Sequence, residues 1–336
     1  RIVQNREGCA IELDTFARMI RHTTRELDAS IFSDERLEKK IRGKLKSEGV
    51  RLLSIVFLMT PKGRYEIHLT GKASKGRFMT TKELAYILSV CTGRNMEPAR
   101  DERTSLGTEY ATVVFLERLR FYTLQGVAKI GKGCANISGD SFSMMELPAG
   151  RQAVALSDGM GSGEEAFRES AMVVEMLEEL LEAGFPVETA IRMMNTALVM
   201  GREEIRFSTL DISIFDLYDG TVELIKAGAS TTFIRHGTEM ERICSTNLPL
   251  GVLQELELQS VKRKVASGDL VIMITDGVLD ALPVGEQEFL LDTTIRGTNL
   301  NNPREMAHHI LEQVLEWSGE EPLDDMTVLV VGIWRI

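Results

Sequence analysis

The chain has 336 residues, 43% of them hydrophobic and 26% charged, with a formal net charge of -11. This is ordinary globular usage, with apolar material for one large core or two smaller ones, and the length suggests two domains. The acidic balance argues against a general nucleic-acid binder, whose surface must neutralise phosphates with Lys and Arg.

Residues from about Glu12 to Ser47 read as two helices. The first, over Leu13–Leu27, carries Phe16, Ile20 and Leu27 among charged residues. The second opens on Ser33-Asp34-Glu35 as an N-cap and repeats apolar residues at Leu37, Ile41 and Leu45. The pair suits a hairpin packed on its own domain, a linker or a partner-binding arm. The run Leu52–Leu58 predicts a buried strand, Pro61-Lys62-Gly63 a turn, and Tyr65–Leu69 an alternating, half-exposed strand. A short helix over Glu83–Val90 ends at Thr92-Gly93, and Ala111–Leu116 is another strand. This first third reads as a small α+β module with no catalytic constellation.

From about Phe121 the pattern changes to short strands broken by Gly and Asp. Strands are predicted at 121–129, 141–147, 151–157, 209–217, 221–227, 231–235, 258–264, 269–275 and 326–333, with helices at 162–183, 187–200 and 303–317. Many strands joined by tight turns fit antiparallel sheets flanked by helices better than βαβ alternation. Ala153–Leu156 and Leu270–Ile274 are apolar at successive positions, as strands buried on both faces are. The expected fold is therefore α+β, an α-β-β-α sandwich preceded by a smaller module, with domains at 1–120 and 121–336.

The strongest chemical signal is a near-repeat. Ala155-Leu156-Ser157-Asp158-Gly159 and Met273-Ile274-Thr275-Asp276-Gly277 both run apolar, apolar, hydroxyl, Asp, Gly. A strand end is a rigid mount for a carboxylate, and glycine lets its carbonyl approach an ion. Asp-Gly is also a common turn dipeptide, so either copy alone reads as a turn; paired on apolar strands, they point to a site. Asp140 in Ser138-Gly139-Asp140 and the pair Asp324-Asp325 bring the count to five carboxylates. Crowded carboxylates repel one another unless cations lie between them, and hard divalent cations favour oxygen ligands.

The ordered set Gly139-Asp140, Asp158-Gly159-x-Gly161, Ser208-Thr209-Leu210, Asn247-Leu248-Pro249-Leu250-Gly251, Asp276-Gly277 and Asp324-Asp325-Met326-Thr327 resembles the PP2C (PPM) phosphatase superfamily. Ser138–Glu146 and Leu156–Gly161 resemble its stage II sporulation (SpoIIE) branch. The likeness covers about residues 121–336, with weaker support upstream. It implies a protein serine/threonine phosphatase using two divalent cations, Mn²⁺ or Mg²⁺. Asp140, Asp158, the Gly159 carbonyl, Asp276 and Asp324 would hold them, with Asp325 sharing the last role. Asp140, Asp158 and Asp276 would carry the catalysis. Two cations ~3.5–4 Å apart lower the pKa of a water and orient it for in-line attack. The superfamily's phosphate-gripping arginine has no evident counterpart; Lys129 and Lys132 are weak candidates, with solvated surface lysines as the plainer reading. The implied substrate is a phosphorylated anti-anti-sigma factor of the STAS type, and the outcome is activation of a sporulation sigma factor. Residues 1–120 would regulate or dimerise the enzyme, giving a homodimer, and could recruit a cell-division or septal protein. The alternative function is a pseudophosphatase or septal scaffold that binds its partner without turnover. A place on the cytoplasmic side, as a soluble fragment of a membrane-anchored protein, follows from the same likeness.

Gly161-Ser162-Gly163 joins the Asp158 strand to the helix beginning near Glu164, and reads as a regulatory hinge through which that helix repositions Gly159. Weaker signals carry less. His22, His68, His236, His308 and His309 sit at no metal-ligand spacing, Gly71-Lys72-Ala73 is not a P-loop, and the sixteen methionines read as core filler. Ser208-Thr209 could place hydroxyls near the cations or simply pack at a strand start; Asn247–Gly251 reads as a stiff loop beneath the site. Cys9, Cys91, Cys134 and Cys244 lie far apart without C-x-x-C spacing, so reduced thiols are expected. No apolar run reaches the ~18–20 residues that span a bilayer, and no signal peptide is visible. The chain opens on Arg1, not methionine, and reads as a piece of something longer.

Overall fold

The computed structural model describes residues 31–32, 34–59, 64–74, 78–99, 103–147, 150–200, 207–254, 256–319 and 321–336. The helix expected over Leu13–Leu27, with Cys9 and His22, lies outside them. The chain divides into two compact units, Arg1–Arg118 and Leu119–Ile336.

In the first unit, β1 (Ile31–Phe32), β2 (Val50–Met59), β3 (Tyr65–Ala73), β5 (Met96–Pro98) and β7 (Ala111–Glu117) form a sheet in the order β1-β2-β3-β7-β5. The short strands β4 (Met79–Thr80) and β6 (Ser105–Leu106) pair separately. Helix α1 (Glu35–Ser47) starts where Asp34 accepts a hydrogen bond from the Leu37 N–H at 2.9 Å. Its Ile41 and Leu45 are fully buried in this unit's own core, which settles the alternatives for that helix in favour of packing at home. Helix α2 (Thr81–Thr92) has a capping box between Thr80 and Glu83 and ends on left-handed Gly93, φ 70°. The expectation of a buried strand over Leu52–Leu58 is corrected. Only Val50 and Phe57 of β2 are buried, while Leu53 is 58% and Val56 40% exposed. One face of the sheet packs on the helices, and β1 covers β2 only at Phe57 and Leu58. An apolar run thus marked a strand without marking burial on two faces.

The second unit is a four-layer sandwich. One sheet runs β15 (Ser260–Lys264), β12 (Thr221–Ala227), β11 (Leu210–Asp216), β10 (Arg151–Asp158), β9 (Asp140–Leu147). The other runs β14 (Glu239–Ile243), β13 (Thr232–His236), β16 (Leu270–Ile274), β17 (Met326–Arg335), β8 (Phe121–Ile130). All pairings in both are antiparallel. Helices α3 (Gly163–Glu182) and α4 (Val187–Met200) cover the first sheet. Helices α5 (Asp276–Asp280), α6 (Gln287–Arg296) and α7 (Pro303–Ser318) cover the second.

Side-chain alternation explains the layers. In β10, Ala153 and Ala155 face α3 and α4, whereas Val154 and Leu156 face the opposite sheet. In β16, Leu270, Ile272 and Ile274 face the second helical layer, and Val271 and Met273 face inward. Each fully buried side chain of this size is worth ~1.5–3 kcal/mol, so a strand apolar on both faces belongs between two layers. Strand β14 and helices α5 and α6 were not predicted. Glu239-Met240-Glu241-Arg242-Ile243 is too polar to read as a strand, and Gln287–Arg296 is short and carries the poor helix formers Asp292, Thr293 and Thr294 in succession. No described helix is long and apolar enough to cross a membrane.

Candidate metal centre at the polar end of the sandwich

The inward-facing stripes change character at one end of the sandwich. Period two carries β10 from Val154 and Leu156 to Asp158, and β17 from Val331 and Leu329 to Thr327. In the same way β16 passes from Val271 and Met273 to Thr275, β8 from Val127 to Lys129, and β12 from Leu224 to Lys226. Because neighbouring strands are antiparallel, these polar termini gather at one edge. The apolar interlayer fixes the scaffold and its end carries the chemistry.

Asp140 and Asp158 are Cα partners across β9 and β10, so the ladder itself sets them side by side. Asp140 is fully buried; its Oδ2 accepts from Thr275 Oγ1 at 3.1 Å and Thr327 Oγ1 at 2.6 Å, while its Oδ1 has no partner among the described residues. Burial pushes its pKa up to about 6, against the pull of those hydroxyls, of a side-chain hydrogen bond with Asp158 and of Lys129. Asp158 is half-buried and lies within side-chain hydrogen-bonding reach of both Asp140 and Asp276. Burial first, then the charges of Asp140 and Asp276, push its carboxyl far above the usual range. Its backbone is clamped: Thr209 Oγ1 accepts from the Asp158 N–H at 2.9 Å, and Ser208 Oγ and the Thr209 N–H donate to its carbonyl at 2.8 and 3.0 Å. The hydroxyls of Ser208-Thr209 therefore hold the mount of the carboxylate.

Asp276 does not end a strand on a free turn; it is the exposed first residue of α5, after Thr275 as N-cap. One turn on, Asp280 has its pKa raised by burial and by the charges of Asp276 and Asp324. Sequence reasoning missed Asp280, although four-residue spacing from Asp276 puts both on one helix face. The adjacent pair divides its work. Buried Asp325 accepts from the Gly139 N–H at 2.7 Å and the Lys132 N–H at 2.9 Å, tying down the loop before Asp140. Asp324 is half-buried and accepts only the Asp325 N–H, at 2.9 Å, among the described contacts.

The glycines after the paired aspartates are required by contact rather than by positive φ. A Cβ on Gly159 would lie 2.1 Å from the Ala166 carbonyl oxygen of α3, and one on Gly277 would lie 2.1 Å from that of Asp325. Gly161 and Gly163, at φ 91° and 79°, do adopt a backbone that other residues rarely take, with open space around them. Lys129 is exposed as a residue, yet its Nζ donates to the Asp140 carbonyl at 2.6 Å, and desolvation there lowers its pKa. Lys132 is exposed and meets the site through its backbone N–H. Of the histidines, His236 pairs with Asp269 at 2.7 Å, and His68 with Glu66 at 2.6 Å in the other unit.

Among the described residues, no group of three or more His, Cys, Asp or Glu is arranged as a ready metal-holding cluster. The donor set nevertheless fits hard cations. It is all oxygen, and its carboxylates repel one another in a partly desolvated place. Its deepest member keeps one buried oxygen without a hydrogen-bond donor among the described residues.

A helix-flanked double antiparallel sandwich with carboxylates at one end is the fold of the PP2C-type phosphatases. The family model for stage II sporulation protein E (SpoIIE) matches residues 148–334, and the chain belongs to that family. It is 31% identical over 297 residues to stage II sporulation protein E of Bacillus subtilis (strain 168), covering 88% of this chain and 36% of that protein. The Priestia megaterium counterpart is 31% identical over 333 residues, covering 99% and 56%. This chain therefore spans between about a third and somewhat over half of those relatives. The solved structure of the PP2C phosphatase domain and a fragment of the regulatory domain of Bacillus subtilis SpoIIE superposes with a TM-score of 0.74 at 29% identity, covering 100% and 95% of the two chains. Asp158, Asp276, Asp324 and Asp325 fall inside the family match; Asp140 precedes it and is joined to it by the β9–β10 ladder.

Proposed function

We propose that the chain is a metal-dependent protein serine/threonine phosphatase whose substrate is a phosphorylated anti-anti-sigma factor of the STAS type, and whose action activates a sporulation sigma factor. The observation that carries the metal-dependent phosphatase part of this reading is the convergence of Asp140, Asp158 and Asp276 from distant segments onto one edge of the sandwich. Family membership supports the activity, and the named substrate deepens it.

Asp140, Asp158, the Gly159 carbonyl, Asp276 and Asp324 would hold two divalent cations, Mn²⁺ or Mg²⁺. When bound, such a pair supplies a lowered water pKa and positive charge opposite a phosphoryl group. Thr275 and Thr327 orient Asp140 through its Oδ2, and Asp325 acts as a positioning residue by fixing Gly139. Lys129, accessible and anchored at the Asp140 backbone, is the better placed of the two candidate lysines to meet a phosphate oxygen. Gly159 rests on Ala166 of α3, and Ser170 of α3 donates to the Gly139 carbonyl at 2.5 Å. A shift of α3 about Gly161 and Gly163 would thus be felt at both Gly139 and Gly159. In this reading residues 1–120 regulate or dimerise the phosphatase, with a septal partner recruited through the N-terminal region and a membrane anchor outside this chain.

The test is phosphate release from a panel of phosphorylated anti-anti-sigma proteins with and without Mn²⁺. Mn²⁺-dependent turnover abolished by Asp276→Asn supports the proposal. Mn²⁺ binding with no turnover on any phosphoprotein would mean a binding module instead.

A further inference from the structure

Beside the carboxylate cluster the interlayer holds a second polar group that the reading above leaves without a task. Asp211 on β11 is 1% exposed and lies opposite Leu156 on one side and Lys226 on the other. Its Oδ2 accepts from Lys226 Nζ at 2.5 Å and from Thr232 Oγ1, across the sandwich, at 2.7 Å. Lys226 Nζ also donates to the Ser230 carbonyl at 2.6 Å. Asp211 Oδ1 and Ser230 Oγ are buried and have no hydrogen-bond partner among the described residues. Both residues line one small cavity, whose lining also includes Asp158, Thr209, Thr275 and Asp276.

A buried ion pair is a poor way to stabilise an interlayer that is mostly apolar. Well-packed apolar residues of similar volume are often as good or better. Two buried oxygen atoms without partners cost more still, unless something in the cavity bonds to them. The cavity sets several polar groups in a wall that Leu156, Ala229 and Ile274 complete, and it has room for a water molecule, which needs two to four such partners. Lys226 and Thr232 both bind Oδ2, which leaves Oδ1 for the cavity.

We propose that Asp211, held by Lys226, is a positioning residue for the carboxylate cluster, and that a water bound by Asp211 Oδ1 and Ser230 Oγ bridges to Asp158 and Asp276. The bridge fixes the rotamers of two carboxylates that otherwise repel one another, so that both present oxygens on the side where cations bind. Lys226 keeps Asp211 from adding a further free negative charge to the cluster. The inference rests on the cation-binding phosphatase reading and adds to it a named support for its ligands. Partners behind metal ligands typically change affinity or activity 10–100-fold when removed.

The test uses the full chain and Mn²⁺ alone as probe, read by calorimetry or by loss of the free Mn²⁺ spin-resonance signal. The double substitution Asp211→Leu with Lys226→Met replaces the pair by apolar groups and avoids stranding either charge. It is expected to fold, to melt in chelator within a few degrees of the parent, and to bind Mn²⁺ about tenfold more weakly. Phosphate release should recover toward the parent rate as Mn²⁺ is raised, as befits a residue acting through the ligands. Ser230→Ala should weaken Mn²⁺ binding in the same direction and less. A folded double variant with parental Mn²⁺ affinity overturns the inference while leaving the phosphatase reading intact. If that variant does not fold, Ser230→Ala decides, and unchanged affinity there overturns it equally. A parent chain that takes up no Mn²⁺ sinks the phosphatase reading and this support with it.

Discussion

Asp140→Asn is expected to stabilise the chelator-treated protein at neutral pH and to remove its stabilisation by Mn²⁺. The carboxyl is fully buried and one of its oxygens has no described partner. Burial raises its pKa from 3.8 to about 6. Between those values the folded chain keeps a proton that the unfolded chain has released. Stability contributed by this group is therefore full below about pH 4, falls as pH rises through about 6, and stays low above. Two pKa units correspond to ~3 kcal/mol. An amide also resists burial, which trims the gain at pH 7.5 to ~1–2 kcal/mol, about 2–8 °C in Tm for a unit of this size. Excess Mn²⁺ should invert the ranking, because a ligand at 100 times its Kd adds ~2.7 kcal/mol to a protein that binds it. Scanning calorimetry in EDTA from about pH 4.5 to 7.5, and again in Mn²⁺, reads all of this. A variant no more stable than the parent in EDTA at pH 7.5, with a difference that does not change with pH, would refute the argument that burial outweighs the partners of Asp140 and makes its ionisation costly.

Gly159→Ala must displace backbone, since its Cβ would meet the Ala166 oxygen at 2.1 Å; a loss of ~1–3 kcal/mol by denaturant melt and weaker Mn²⁺ binding are expected. Thr327→Val deletes one of the two hydroxyl donors to Asp140 Oδ2 and should cost ~1–3 kcal/mol, with a further rise of the Asp140 pKa visible by carboxyl NMR. Asp325→Ala strands the N–H groups of Gly139 and Lys132 and should cost roughly 2–3 kcal/mol, with a fall in Mn²⁺ affinity although Asp325 is not proposed as a ligand. Comparing the full chain with residues 119–336 for Mn²⁺ affinity and phosphate release tests regulation by the first unit; identical values would remove it.

The sandwich was legible because runs such as Leu270–Ile274 have no other home than between two layers, and those strands occur as expected within a residue or two. The same logic misread Leu52–Leu58, where apolar composition belongs to a strand with one open face. The paired Ser/Thr-Asp-Gly units were visible as text, and their reach to one another rests on sheet pairing that no local window contains. The role of Asp325 was hidden because a carboxylate that anchors a loop and one that offers itself to a cation look alike in sequence, and that of Thr327 because its partner Asp140 is 187 residues away. Asp211 and Lys226 were hidden for a related reason. A charged residue on an alternating strand ordinarily marks the solvent face, whereas here it marks the interlayer's end.

Pairing Asp140 with Asp158 across adjacent strands has a consequence for how this site is made and lost. The hairpin register, with Leu147 opposite Arg151, determines which way both acids point. A single residue inserted into the connection at 148–150 would slide one strand by a step and, with a side-chain period of two, turn its acid to the opposite side of the sheet. The same slip would turn Met145 and Leu147 away from the helical layer, so the two acids would part company together with the packing of β9. Loop-length variation at this connection should therefore silence the centre and loosen the anchoring of β9 in one step.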